Sequence, residues 1–358
     1  MTPDSQQLES MDRKGRDVEF FRGLIERYSP SGDEEPARQY LQDELPEMGF
    51  EVEVDDIGNL HATTGDLGSD EELMLTSHMD TVKGRIPVNL DDGKLFGRGA
   101  VDAKGPLAAM FLAASRCSDA DFKVTVVAVV EEERSGAGAN HMVKTRESPD
   151  FLVNGEPSGW DTVTLGYRGI LRLHYSVAGE VIHTARPGVN AIEDVMGFWN
   201  AVQEIENEEE GFGSLDCTAT NIDSNSDGFK LESELLGNFR IPSEYTVDEV
   251  RGMVSEKAAG SEGTVEWRES TEPVMVDRSN PVVRGFLRSI RDADGSPGFS
   301  VKTGTCDMNV YAEAWDCPMV TYGPGDSNLD HTPDEHIEIE EFLASVDVLE
   351  NLVEDLSG

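Results

Sequence analysis

Residues Thr76 to Gly105 read TSHMDTVKGRIPVNLDDGKLFGRGAVDAKG. The stretch follows directly on the apolar run Leu73-Met74-Leu75, which reads as a short buried strand. His78 and Asp80 stand two residues apart at its end, and on a strand such residues point the same way. The stretch closes with GRGAVDAKG, where Gly97, Gly99 and Gly105 permit the tight bends that present Asp102. An imidazole and two carboxylates on glycine-bracketed turns make a candidate metal site. Each residue alone is equally well a surface acid or a satisfied polar group, so the reading depends on partners elsewhere.

Three further places supply them. Val124 to Val130 (VTVVAVV) is a β-branched run, read as a central strand, and it ends in Glu131-Glu132-Glu133. Three adjacent acids repel one another; a solvated turn tolerates this, and a cation relieves it. Phe151-Leu152-Val153 reads as a strand running into Asn154-Gly155-Glu156-Pro157. Val320-Thr321-Tyr322 leads into GPGDSNLDHTPDEH, which places His331 in a loop before the last helix. Ligands of open α/β sheets bind beyond the carboxyl ends of the strands, and every one of these groups falls at such an end.

These motifs resemble those of the di-zinc aminoacylase and carboxypeptidase-type metallohydrolases, a family that includes acetylornithine deacetylase and succinyl-diaminopimelate desuccinylase. The resemblance runs through SHMDTV, GRGAVDAKG, EEERSGAGA, NGEPS, the His183 region and DHTPDEH. It implies two divalent metal ions, zinc first and cobalt as the alternative. One would be held by His78, Asp102 and Glu156, the other by Asp102, Glu133 and His331, with Asp102 bridging. Glu132 would be the general base and Asp80 would orient His78. A third Glu followed by Arg134 departs from the family pattern, so a one-residue shift of base and ligand stays open. Alignment on GAGA at residues 136–139 favours Glu132 and Glu133.

Composition bounds the rest. The 358 residues suffice for two domains. Acidic residues number 71 against 29 basic, a formal charge of −42 that would self-repel strongly in dilute buffer. The acids are scattered rather than gathered in a tail, as on the surface of a protein from a salt-filled cytoplasm, where counter-ions screen them. The acidic surface argues against nucleic acid and anionic membrane as partners. The N-terminus has no basic segment followed by an apolar core, and no apolar run reaches spanning length, so a cytoplasmic protein is expected. Cys117, Cys217, Cys306 and Cys317 lack metal-site spacing and read as free thiols.

The expected fold is α/β: a catalytic domain with a mixed central sheet flanked by helices, and an inserted α+β lid or dimerisation domain. The boundaries are 1–166 and 274–358 for the catalytic domain and 167–273 for the insertion. Residues 1–16 read as frayed, with helices over Val18 to Tyr28 and Glu35 to Met48, and Pro106 to Cys117 as a helix beneath the site. In the insertion, strands are expected over Leu171 to Val177, Cys217 to Ile222 and Leu231 to Ile241, and a helix over Ala191 to Ile205. Asp223, Asn225, Asp227, Gly228 and Glu234 match a calcium-loop pattern, but strand-like flanks and Lys230 at an apolar position favour a turn. His61, His141, His174 and His336 match no motif and read as structural.

The family resemblance assigns two more residues in the insertion. The run around His183, followed by Asn190-Ala191, resembles the motif whose His stabilises the tetrahedral intermediate, lent across a homodimer. Arg240 matches the Arg that grips the substrate carboxylate, where a planar fork suits two oxygens. A finer resemblance lies in KTGTCDMN (302–309) and YGPGDSNLDHTPDEHIEI. These look like the hydrolases that release lysine or ornithine from the γ-glutamyl end of an acidic amino-group carrier protein. Gly304 and Thr305 would then touch substrate. Deacylation of acetylornithine or acetyl-lysine, or desuccinylation of succinyl-diaminopimelate, is the alternative. An acidic metal-binding protein without activity is the reading from another class.

Overall fold

The computed structural model describes residues 3–181, 188, 190–205 and 209–357, with side chains from residue 13 onward. The chain begins with α1 (Pro3–Glu26), α2 (Glu35–Glu44), β1 (Glu51–Val54), β2 (Leu60–Gly65) and β3 (Glu72–His78). A hairpin of β4 (Asn89–Asp91) and β5 (Lys94–Phe96) precedes α3 (Lys104–Arg116), β6 (Lys123–Val129), α4 (Ala137–Thr145), β7 (Phe151–Asn154) and β8 (Thr162–Tyr167). Next come β9 (Gly169–Glu180), α5 (Ala191–Gln203), β10 (Asp216–Ser226), β11 (Lys230–Ile241), α6 (Val247–Ala258) and β12 (Thr264–Thr271). The remainder forms β13 (Val274–Met275), α7 (Pro281–Asp292), β14 (Gly298–Lys302) and α8 (Asp307–Ala314). It ends with β15 (Met319–Thr321), β16 (His336–Glu338) and α9 (Ile339–Ser357).

Two compact units result. The first comprises Met1–Leu165, Val276–Ser300 and Val310–Gly358, the second Gly166–Met275 and Val301–Asn309. The sequence reading drew the insertion at 167–273; the stretch Val301–Asn309, which carries Gly304 and Thr305, groups with the second unit.

In the first unit the sheet runs β1-β2-β6-β3-β7-β15-β8. The central strands β6, β3, β7 and β15 are mutually parallel, while β1, β2 and β8 pair antiparallel: a mixed sheet, as expected. Parallel strands need cover on both faces, and the sequence provides it. β6 is valine-rich and buried along almost its whole length. α3 is apolar all round, buried from Lys104 to Ala114, and packs against β3, β6, α1 and α9. Phe111 of α3 meets Phe20 and Phe50 edge-on.

The second unit is the α+β module: an antiparallel sheet in the order β10-β11-β9-β12, with α5 and α6 against one face over a core that includes Leu171, Tyr175, Phe198, Phe239 and Val250. The sequence reading missed two elements here. α6 starts at a capping box, Thr246 with Glu249, and β12 alternates half-buried and exposed residues at the sheet edge.

Other differences have local causes. α1 reaches back to Pro3 instead of starting near Val18, because no helix breaker other than Gly15 interrupts residues 4–17. α2 stops at Glu44 instead of Met48: Pro46 has no N–H, the turn Leu45–Met48 is 3₁₀, and Gly49 closes it at φ +96°. The calcium-like loop is a hairpin turn, with Ser226 opposite Leu231 and Asp227 accepting from the amides of Phe229 and Lys230. All four cysteines are free. Among the described residues no helix is long and apolar enough to cross a membrane.

Candidate metal centre and active site

The parallel register brings the strand ends together. His78, the last residue of β3, pairs with Val129 of β6, and Thr76 pairs with Asn154 of β7, itself paired with Thr321 of β15. Residues just beyond these positions emerge at one edge of the sheet. At β7 the approach is close: Gly155 donates from its amide to the Thr76 carbonyl at 2.6 Å, and a side chain there would collide with Ser77 and Met110. Glycine is therefore required, and it leaves Glu156 half-buried one residue further on.

Asp102 sits at the middle of the cluster. His78 Nε2 lies 3.0 Å from its Oδ1 and His331 Nε2 lies 2.9 Å from its Oδ2. The same His331 nitrogen is 2.9 Å from Glu133 Oε1. Asp102 thus presents one oxygen to each imidazole. His78, Asp102 and Glu133 each offer a ligand atom, all within 4.8 Å of one another; Glu156 is not part of that group. The peptide bond between Asp102 and Ala103 is cis, and Glu131 and His331 hold positive φ (57° and 59°), so two site turns use left-handed backbone at non-glycine residues.

Electrostatics follow from this crowding. Burial would depress the His78 pKa, but hydrogen bonds with Asp102 and Asp80 outweigh it and raise it well above the ordinary value. Contacts with Asp102 and then Glu133 raise His331 to about 10. Burial would raise the Asp102 carboxyl; hydrogen bonds from His331 and His78 hold it far below the usual range instead. The carboxylates around both imidazoles favour a positive charge between them, and binding of a cation at such donors is coupled to release of protons. Nitrogen and oxygen donors converging on both sides of one carboxylate fit a pair of divalent ions.

Asp80 has a larger task than orienting His78. The imidazole Nδ1 donates to the backbone carbonyl of Asp80 at 2.9 Å and lies 3.5 Å from its Oδ1. The carboxylate accepts the amides of Glu132 (3.1 Å) and Glu133 (3.2 Å) and the Ser31 hydroxyl (2.7 Å), and so shapes the acidic turn. Within that turn, the Glu131 carboxylate is engaged by Arg134 and Ser135. Glu133 meets His331, and Glu132 lies near enough to His78 to raise its pKa.

In the second unit Arg240 is half-buried on β11, and its Nη1 has no hydrogen-bond partner among the described residues. Burial, then Arg168 and Arg172, lower its pKa. Gly304 and Thr305 lie in the loop before α8. His183, with its expected action across a dimer, lies outside the described residues. Sequence reasoning missed Ser31, Arg98 and Glu335. For Glu335 the only signal was its place four residues after His331 within the same motif.

A mixed sheet with this cluster beyond its parallel strand ends defines a class. The chain belongs to peptidase family M20/M25/M40, whose model matches residues 74–355, and is a metallohydrolase acting on amide bonds. It is 35% identical to the LysW-lysine hydrolase of Deinococcus radiodurans, over 95% of this chain and 97% of that one. It is 30% identical to the LysW-lysine/LysW-ornithine hydrolase of Sulfurisphaera tokodaii, over 98% of each. A tripeptidase of Staphylococcus aureus shares the fold with a TM-score of 0.80 at 19% identity, over 96% of this chain and 98% of that one. A dinuclear metal-binding M20 peptidase of Bacillus subtilis does so at 0.73 and 14% identity, over 97% and 99%.

Proposed function

We propose that the protein releases lysine, ornithine or both from the C-terminal γ-glutamyl group of an acidic amino-group carrier protein, as a step of lysine or arginine biosynthesis in the cytoplasm. The observation that carries the reading is Asp102, whose two oxygens face His78 on one side and His331 with Glu133 on the other. The names of the relatives over almost the whole chain support the substrate class. His78, Asp102 and Glu156 would hold one divalent ion, and Asp102, Glu133 and His331 the other, zinc before cobalt. When bound, such ions would supply Lewis acidity toward the scissile carbonyl and toward the attacking water. Glu132 takes the proton of the attacking water and returns it to the leaving amine. Asp80 keeps Glu132 and Glu133 in register through their amides. His183 stabilises the developing oxyanion. Arg240, whose Nη1 lacks a partner among the described residues, takes the substrate carboxylate, and Gly304 and Thr305 contact the substrate.

Incubation with a carrier protein bearing γ-glutamyl-linked lysine or ornithine should liberate the free amino acid, detected by mass spectrometry. Acetylornithine and succinyl-diaminopimelate are assayed beside it. Turnover of either small amide with none of the carrier would replace this reading by a deacylase. No hydrolysis of any of them would favour an acidic metal-binding protein.

The charge of −42 further implies an environment of high salt. Thermal unfolding followed across KCl concentrations should show stability rising steeply with salt, since screening weakens repulsion between exposed like charges. A flat profile from low to molar KCl would refute adaptation to salt.

A further inference from the structure

Glu335 has none of the roles assigned above, yet it is fully buried beside the centre. Its Oε1 accepts the amides of Val101 (3.0 Å) and Asp102 (3.2 Å), and its Oε2 accepts Arg98 Nη1 at 2.7 Å. Arg98, only 7% exposed, donates in turn from Nε to the Gly84 carbonyl at 2.9 Å. The backbone carbonyl of Glu335 accepts the Gly97 amide at 3.2 Å. Glu335 therefore fastens the Gly97–Asp102 turn to the His331 loop, and through Arg98 the Gly84 turn is joined to them.

Burying an ion pair carries a desolvation penalty that apolar side chains of similar volume avoid. Packing alone does not call for a carboxylate here. The bonds of Glu335 are directional, and two of them end on the amide of Asp102 and the amide before it. They fix the peptide planes from which the Asp102 side chain projects. Asp80 treats Glu132 and Glu133 in the same way, so each of the two acidic ligand turns is held by a buried carboxylate that collects its amides.

We propose that Glu335 is a positioning residue of the metal centre. Its grip on the amides of Val101 and Asp102 sets the Asp102 carboxylate between His78 and His331, and its place on the His331 loop joins the two ligand-bearing segments. This rests on the reading of Asp102 as a metal ligand.

The test uses full-length wild-type, Asp102→Ala, Glu335→Gln and Glu335→Asp proteins stripped of metal. Zn²⁺ affinity is measured by competition with a chromophoric chelator, and thermal unfolding of the metal-free forms is recorded separately. If Asp102→Ala binds Zn²⁺ as wild type does, the ligand reading itself fails. With Asp102→Ala impaired, Glu335→Gln is expected to weaken Zn²⁺ binding about 10–100-fold, the usual cost of losing a partner that orients a ligand. Glu335→Asp, with the charge kept at shorter reach, should recover part of the loss. Turnover should fall through kcat more than through KM. Zn²⁺ affinity indistinguishable from wild type in Glu335→Gln overturns the proposal, even if its melting temperature drops, because Glu335 would then be structural only. Should Glu335→Gln not fold, Glu335→Asp decides by the same criterion.

Discussion

Glu132→Gln is expected to lower kcat by about 10²–10⁴-fold, the usual contribution of a general base, while metal content and KM stay close to wild type. The amide has the shape of the carboxylate, and the backbone at this position is held from outside by Asp80, at 3.1 Å from the Glu132 amide. The turn should therefore survive and only the proton-accepting oxygen be lost. Glu131→Gln is the companion variant. The Glu131 carboxylate is taken up by Arg134 and Ser135, so this change should leave turnover within a small factor. Steady-state kinetics on the preferred amide substrate, with elemental analysis of each protein, makes the comparison. A reversed result, with Glu131→Gln dead and Glu132→Gln active, would shift the base by one residue and displace the Glu133 assignment with it.

Removal of metal should bring amide hydrolysis to background, and added zinc or cobalt should restore it. Asp102→Ala should not be rescued by either ion. The asymmetry with Glu156 is informative. Asp102 lies between both imidazoles, 3.0 Å from His78 and 2.9 Å from His331, so its loss should weaken both sites at once. Glu156 belongs to one proposed site, and Glu156→Ala should retain one ion per chain. Titration of metal-free protein followed by elemental analysis counts the ions in each variant. Full activity in wild-type protein shown to contain no metal would sink the di-metal reading, and one retained ion in Asp102→Ala would remove the bridging role.

Much of this was legible in the sequence because the signals are local. A β-branched run such as VTVVAV carries a strand signal in its own composition and length, and polar or glycine residues at its end announce where it leaves the sheet. His78, Glu131 to Glu133, Glu156 and His331 could thus be placed at strand ends from the sequence, and the family resemblance of their motifs implied their roles. Two of the misreadings have a local cause, while α6 went unread although its capping box, Thr246 with Glu249, stands in the sequence. β12 is an edge strand with much exposed polar surface, and α2 was drawn too long because Pro46 lies inside an otherwise helical pattern.

What only tertiary structure decided is which groups touch. Three consecutive glutamates are equivalent in one dimension. They differ once Arg134 and Ser135 take Glu131, His331 takes Glu133 and Asp80 takes the amides of Glu132 and Glu133. Glu335 is 233 residues from Asp102 along the chain, and no pattern of hydropathy or spacing links an acid in one loop to backbone amides in another. Backbone amides carry no sequence identity, so a carboxylate that recognises them leaves no partner residue to be read. The sequence therefore determined the central strands, the candidate ligand residues and the order in which they arrive. The parallel register of β6, β3, β7 and β15 decided that they meet, because only pairing of distant segments brings their ends to one edge.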